Sequence, residues 1–409
     1  MKTYQVGGCV RDRLLNIAVH DTDWVVTGAT VEQMLAAGFK PVGKDFPVFL
    51  HPGTKQEYAL ARRERKTAPG YHGFKFNAQP DITIEEDLLR RDLTINAMAE
   101  DEYGNIIDPY GGQKDLRAGV LRHVSDAFRE DPVRVLRVAR FAARLYDSGF
   151  KLAPETARLI REMGESGELQ TLVAERVWSE TTRALDENNP AVFFHILRDC
   201  SVLQLLFVEI NALFGVPQTA THHPEIDTGV HVMLALQKSA ELGFDNPTRF
   251  AVLMHDLGKA TTPKDILPSH HGHEKRGVKL VKNFCQRWKI PREHTELALM
   301  TTEFHFHVHR AFELKATTLL NFFNRVDVFR KPNRFKKMLN ACLADARGRT
   351  GFEDCDYPQA EFLYKLADLL LNADLSAIKH KNLQGRAFGD AIRSYRLQLI
   401  KAAKADYRV

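Results

Sequence analysis

The apolar positions of residues 1–53 change period several times, and those changes predict strand, glycine turn, helix, strand and helix in succession. Trp24, Val25 and Val26 mark the second strand, and Thr30 stands where it would cap a helix over 31–37. Residues 47–50 and 57–62 read as short strands of the same small mixed sheet. From Arg62 to Pro80 the pattern breaks: Arg62, Arg63, Arg65 and Lys66 precede a stretch rich in Gly, Pro, Tyr and His. A polar segment of this length reads as a long loop, either plain surface or functional. Asp131-Pro132 then opens a helix, because aspartate suits the N-cap and proline the first helical position. At 100° per residue Arg134, Arg137, Arg140 and Arg144 share one arc, with Val135, Val138, Ala139 and Ala142 opposite. One reading is an amphipathic helix with a solvated arginine face. The other is a polyanion site, because no acid on that arc relieves the mutual repulsion. Residues 192–206 form another amphipathic helix, and the rest of the chain reads almost wholly helical. Repeats of fixed period and low-complexity segments are absent.

With 409 residues the chain is too long for one core, so two to four domains are expected. Apolar content of 44% and charged content of 27% describe a soluble globular protein. The net charge of +5 is compatible with a polyanionic partner without requiring one. Five cysteines (Cys9, Cys200, Cys285, Cys342 and Cys355) show no C-x-x-C pair, which argues against a disulfide framework and a thiolate zinc site. The N-terminus enters a glycine turn at once, and no apolar run reaches membrane-spanning length, so a cytoplasmic protein without membrane attachment is expected. Monomer and homodimer both remain open.

Composition leaves the chemistry to two clusters. In the first, Gly7-Gly8 precedes a helical pattern carrying Arg11 and Arg13, and glycines there let backbone N–H groups approach a phosphate. Asp21 and Asp23 follow, spaced to share one face of a strand. Two carboxylates so close repel unless a cation joins them, and hard oxygen ligands suit Mg²⁺ with a phosphate partner. Either half alone reads as a glycine turn or a solvated acidic loop; together they point to nucleotidyl transfer. Glu57 is a candidate third carboxylate, or equally a solvent-facing strand residue. The second cluster is a concentration of histidines: His222, His223, His231, His255 before Asp256, His270, His271, His273, His305, His307 and His309. Adjacent His and Asp diverge by about 100° on a helix, so His255 and Asp256 reach one cation only near a helix end. Phe250 to Met254 is such an apolar helix, stopped near Gly258. Imidazole with carboxylate suits a hydrolytic Mn, Fe, Ni or Mg centre.

GGCVRDRLL followed by DTDWVV resembles the DNA polymerase beta superfamily, and more narrowly the class II tRNA nucleotidyltransferases. These are the CCA-adding enzymes and the bacterial poly(A) polymerases. Four further motifs continue the resemblance in order: Arg90-Arg91-Asp92-Leu-Thr-Ile-Asn96, Asp108-Pro109-Tyr-Gly-Gly112, Glu130-Asp131-x-x-Arg134 and Glu175-Arg176-Val-Trp178. The resemblance implies catalysis by Asp21 and Asp23 with two Mg²⁺, and a nucleotide held by Gly8, Arg11, Arg91, Arg137 and Arg140. Asp131 and Arg134 would read the base edge, since cytosine and adenine carry an exocyclic amine that uracil lacks. The third motif is read as a structural turn, the fifth as support for the neck, and the loop after Arg62 as an element that moves between nucleotide choices.

His231, His255 and Asp256 resemble the HD superfamily of metal-dependent phosphohydrolases, with Asp345 as the last ligand and Asp327 as an alternative. The metal implied is Ni²⁺ or Mn²⁺. The other histidines, His305, His307 and His309 included, are read as surface residues. The expected fold is an α/β nucleotidyltransferase head over 1–126, an all-α neck and body over 127–218, an HD domain over 219–350 and a helical tail over 351–409. The basic residues Lys379, Lys381, Arg386, Arg393 and Arg396 of that tail are read as solvated, with RNA contact the alternative. Head and HD domain together resemble the bacterial multifunctional CCA-adding class. That implies addition of CMP, CMP and AMP to tRNA from CTP and ATP, with phosphatase and 2′,3′-cyclic phosphodiesterase activities. The alternatives are a poly(A) polymerase, and an HD phosphohydrolase whose head only binds RNA.

Overall fold

Five strands open the chain: β1 (Lys2–Val6), β2 (Asp23–Thr27), β3 (Lys40–Val42), β4 (Val48–Leu50) and β5 (Glu57–Leu60). After them come β6 (Arg63–Lys66), β7 (Phe74–Asn77), β8 (Ala99–Glu100) and β9 (Ile106–Ile107). The computed structural model describes residues 1–19, 21–42, 48–66, 74–77, 79–220, 224–379 and 383–407. Seven strands form one sheet in the order β3-β4-β5-β2-β1-β8-β9, antiparallel except where β2 runs parallel to β5. Successive residues of β2 face opposite sides of the sheet and enter two cores. Val25 packs with Tyr4, Val6 and Leu88, and Val26 packs with Met34, Phe49 and Leu60. Burying a side chain of this size contributes about 1.5–3 kcal/mol, so both faces of the sheet are held and its register is fixed.

β6 and β7 pair as a separate antiparallel hairpin inside the stretch read as a loop. Phe74 and Phe76 alternate with polar residues, a strand pattern that the neighbouring Gly, Pro and His obscured. Residues 67–73 and 78 of that stretch lie outside the described residues.

Among the described residues of the first half of the chain, the α-helices follow in order. They are α1 (Gly8–Leu14), α2 (Val31–Ala36), α3 (Ile84–Leu89), α4 (Gly112–Ala118), α5 (Val133–Arg144), α6 (Pro154–Glu165), α7 (Ala174–Asp186), α8 (Pro190–Asp199) and α9 (Leu203–Leu206). Thr30 caps α2 as expected: its hydroxyl accepts from the Gln33 amide while the Gln33 side chain accepts from the Thr30 amide. Asp108 accepts from the Gly112 and Gln113 amides at 2.6 and 2.9 Å and so opens α4, a structural use of the third motif.

Two compact units result, Met1–Ala184 with Val192–Leu206, and Leu185–Ala191 with Phe207–Val409. The second unit is helical: α10 (Val208–Asn211), α11 (Thr228–Glu241), α12 (Asn246–Met254), α13 (His273–Arg287), α14 (Arg292–His309), α15 (Ala316–Arg325), α16 (Pro332–Arg347), α17 (Pro358–Leu371), α18 (Ser376–Lys379) and α19 (Gly385–Asp406). Helices α11, α12, α14 and α16 pack against one another, with α13 against α14. Asp227 and Asp245 accept from the Val230 and Thr248 amides and start α11 and α12. Beyond residue 350, α17 packs on α14 and α16, and α19 packs on α15. The Arg396 guanidinium lies 3.6 Å from the centre of the Phe329 ring, where the sequence suggested a solvated side chain. No helix among the described residues is long and apolar enough to cross a membrane.

Candidate functional site

In the first unit, β1 and β2 pair so that Val6 lies opposite Asp23. The chain leaves Val6 directly into Gly7, and the glycine turn therefore begins beside the Asp23 carboxylate at one end of the sheet. Gly7 has φ +74°, which glycine adopts without strain, and a Cβ there would come 2.8 Å from Arg91 Nη1. The Arg91 guanidinium thus lies over the turn, tied to Asp87 Oδ2 at 3.3 Å. Asp87 is fully buried and also binds Arg90 at 2.7 Å; burial alone would raise its pKa, but the arginines hold it below the usual carboxylate range. Asp21 lies just before β2, and Asp21 and Asp23 are both exposed. Continuing the Trp24–Tyr58 register back by one residue, Glu57 flanks Asp23 on β5, also exposed.

Arg11 is only 2% exposed. Its Nε donates to Asp12 at 2.8 Å, its Nη1 donates to Asn96 at 2.5 Å, and its guanidinium stands 5.0 Å from the Phe141 ring centre. This is an enclosed position, within the first turn where the sequence put Arg11 beside a triphosphate.

The arginine arc of α5 requires a correction. Arg137 pairs with Asp92 at 2.7 Å, Arg140 with Glu180 at 2.7 Å and Arg144 with Asp12 at 3.1 Å. Arg134 donates to the Ala127 carbonyl at 2.7 Å and is buried. The repulsion that seemed to demand a polyanion is relieved by acids from other elements, which inspection of one helix cannot see. Burial would raise the Asp92 pKa, yet Arg137 and the Asn96 amide hold it well below the carboxylate range. Arg140 and Glu180 are both under a tenth exposed, and removing one partner of such a pair costs about 3–5 kcal/mol. Asp131 accepts from the Val133 amide at 3.2 Å and pairs with both Arg176 Nη atoms, at 2.8 and 2.7 Å. The helix itself begins at Val133, one residue later than expected, with Pro132 already in helical dihedrals.

The second unit gathers its chemistry where five helices meet. His231 comes from α11, His255 and Asp256 from the end of α12, His273 from the start of α13, His305 from α14 and Asp345 from α16. His231, His255 and Asp345 bring one donor atom each within 4.8 Å of one another, and so do Asp256, His273 and His305. Gly258, just past Asp256, allows this approach: a Cβ there would overlap the His273 carbonyl. Asp256 divides its oxygens between the two trios. Oδ2 lies 3.2 Å from His255 Nε2 and 2.7 Å from Lys259 Nζ, and Oδ1 lies 3.4 Å from His273 Nε2 and 3.8 Å from His305 Nε2.

Burial alone would lower the His255 pKa, but Asp256 and Asp345 carry it up to about 10. Burial pushes the His305 pKa well down, reinforced by His273. His255 Nε2 and Asp256 Oδ1 are buried without a hydrogen-bond partner, which fits metal ligation. Glu225 Oε1 lies 3.0 Å from His231 Nδ1, where an outer carboxylate stands beside a ligating imidazole.

These arrangements match known families. Residues 3–122 match the Poly A polymerase head domain, 149–214 the probable RNA and SrmB-binding site of polymerase A, and 228–330 the HD domain. A multifunctional CCA protein of Thioalkalivibrio sulfidiphilus is 56% identical over 407 residues, covering 100% of both chains. The chain belongs to the multifunctional CCA protein family. Members join CCA addition in the head to phosphohydrolysis in the HD domain, so the poly(A) polymerase and binding-only alternatives give way. The fold is shared with the Thermotoga maritima CCA-adding enzyme complexed with tRNA (20% identical, TM-score 0.63, 100% of this chain and 92% of that one). It is also shared with the Bacillus stearothermophilus CCA-adding enzyme in complex with CTP (24% identical, TM-score 0.61, 98% and 89%).

Within this multifunctional CCA chain, the structure brings His231, His255, Asp256 and Asp345 together. It leaves Asp327 in a turn, paired with Arg330 at 2.7 Å. His305 and His309, read as surface residues, are not: His305 is 4% exposed, and His309 Nε2 lies 2.7 Å from Asp345 Oδ2. Their spacing of four on one helix was the available signal. His307 turns away and stacks on Phe322. His222 and His223 lie outside the described residues.

Proposed function

We propose that the head holds two Mg²⁺ on Asp21 and Asp23 and transfers CMP, CMP and AMP from CTP and ATP to a tRNA 3′ end. The observation that carries this reading is the Val6–Asp23 register, which sets the glycine turn and the carboxylates at one sheet end. Mg²⁺ bound there would activate the 3′-hydroxyl for attack on the α-phosphorus and neutralise the departing pyrophosphate. Among the chain's own groups, the Gly8 amide and the Arg91 guanidinium receive the triphosphate, while the Gly7 amide is held by the Met98 carbonyl at 3.2 Å. Arg11 braces that turn from beneath through Asp12 and Asn96, and Arg137 and Arg140 would meet the nucleotide with the guanidinium nitrogens left over from their anchors Asp92 and Glu180. Asp131, steadied by Arg176, accepts from the exocyclic amine of cytosine or adenine while Arg134 donates to the ring edge.

For the HD centre we propose two divalent transition ions, Ni²⁺ or Mn²⁺, one on each trio, with Asp256 shared between them. The substrates are phosphomonoesters and 2′,3′-cyclic phosphates. Bound ions would supply an activated water and withdraw charge from the phosphoryl group. Lys259 stands beside Asp256, bonded also to Gln218 at 2.6 Å, and is placed to neutralise a phosphate oxygen.

Base reading is tested with Asp131→Ala. Losing a hydrogen bond to a charged group costs about 1.5–3 kcal/mol, so discrimination against UTP should fall by roughly ten- to a hundredfold. A role only as a helix cap predicts a stability loss of about 1 kcal/mol with unchanged nucleotide ratios. Measuring kcat/KM for CTP, ATP and UTP beside the unfolding midpoint separates the two.

A further inference from the structure

Asp345 divides its oxygens as Asp256 does, but only one of them faces the histidine trio. Oδ1 lies 3.0 Å from His231 Nε2 and 3.6 Å from His255 Nε2. Oδ2 turns the other way and meets His309 Nε2 at 2.7 Å. His309 belongs to neither trio. Its second nitrogen, Nδ1, lies 2.7 Å from the hydroxyl of Tyr357, and the His309 carbonyl accepts from the Gln359 side chain at 3.4 Å. Tyr357 stands immediately before α17, at the end of a turn pinned by Arg347 Nε donating to the Cys355 carbonyl at 3.0 Å. The segment beyond residue 350 therefore reaches back to the phosphohydrolase centre of its own unit.

The direction of each link follows from donor chemistry. An ionised carboxylate only accepts, so His309 Nε2–H donates to Asp345. In a neutral imidazole the other nitrogen then accepts, and Tyr357 O–H supplies the proton. We propose that Tyr357 and His309 are positioning residues of the HD centre, holding Asp345 with Oδ1 toward His231 and His255 and Oδ2 withdrawn. The last torsion of an aspartate is soft, so without this line of hydrogen bonds the carboxylate would rotate and lose its single ligand geometry. Outer partners of metal ligands commonly set affinity by ten- to a hundredfold. The inference rests on the cation reading of the centre given above.

The test uses the untagged full chain, stripped of metal and titrated calorimetrically with Ni²⁺ in excess Mg²⁺, so that head carboxylates stay occupied. Tyr357→Phe, which keeps the ring and removes the hydroxyl, should weaken Ni²⁺ binding about tenfold, and His309→Ala by up to about a hundredfold. The double variant should bind no more weakly than His309→Ala alone, because the tyrosine acts through the histidine. His309→Gln, whose amide N–H still reaches toward Asp345, should recover part of the loss. Wild-type affinity in Tyr357→Phe with only a lowered melting midpoint would make Tyr357 a packing residue and overturn the proposal. So would losses that multiply in the double variant. A wild-type chain that fails to bind Ni²⁺ at all would instead remove the cation reading of the centre.

Discussion

Asp23→Ala should abolish incorporation of both C and A while leaving tRNA binding nearly intact. The Asp23 carboxylate stands beside the glycine turn, where the transferring phosphoryl is neutralised in the proposed site. Losing a metal ligand removes several kcal/mol of transition-state stabilisation, on the order of a thousandfold or more in kcat. RNA affinity rests mainly on basic contacts to the phosphate backbone, which the substitution does not touch. Single-turnover incorporation at saturating Mg²⁺, together with a filter-binding Kd for tRNA, separates the two quantities. Appreciable C addition by the variant would take Asp23 out of the chemistry.

Asp256→Ala should have the opposite pattern. Its two oxygens face His255 on one side and His273 and His305 on the other, so one substitution disables both halves of the centre. Hydrolysis of a 2′,3′-cyclic phosphate should fall on the order of a thousandfold or more, and CCA addition should stay close to the wild-type rate. His255→Ala should follow the same course. Chelating transition metals while Mg²⁺ is supplied should mimic both variants. A parallel fall in CCA addition would mean that the two activities share one centre.

The head was legible in the sequence because its chemistry is local. Gly7 to Asp23 spans one turn, one helix and one strand, and the alternation around Val25 fixes which residues face each core. The α5 arginines were not legible, because what decides their state lies far away: Asp92, Glu180 and Asp12 arrive from three other elements. Arg11 shows the same limit, since its burial depends on Asn96 and Phe141. At the HD centre the His-Asp pair announced itself, and Asp345 was preferred over Asp327. The trio His273, His305 and Asp256 was hidden because helices α13 and α14 contribute one residue each. Tyr357 carried no periodic or motif signal, and only the return of the chain onto α14 gives it a role.

CCA addition by this chain alone, without a nucleic-acid template, is open to a direct measurement. The chain is incubated with tRNA that lacks its 3′ terminus, each nucleotide is supplied in turn, and products are resolved one nucleotide at a time. Two additions are expected from CTP alone, one further addition once ATP is present, and then a stop. A run of adenylates from ATP alone, or no extension at all in Mg²⁺, would contradict that expectation.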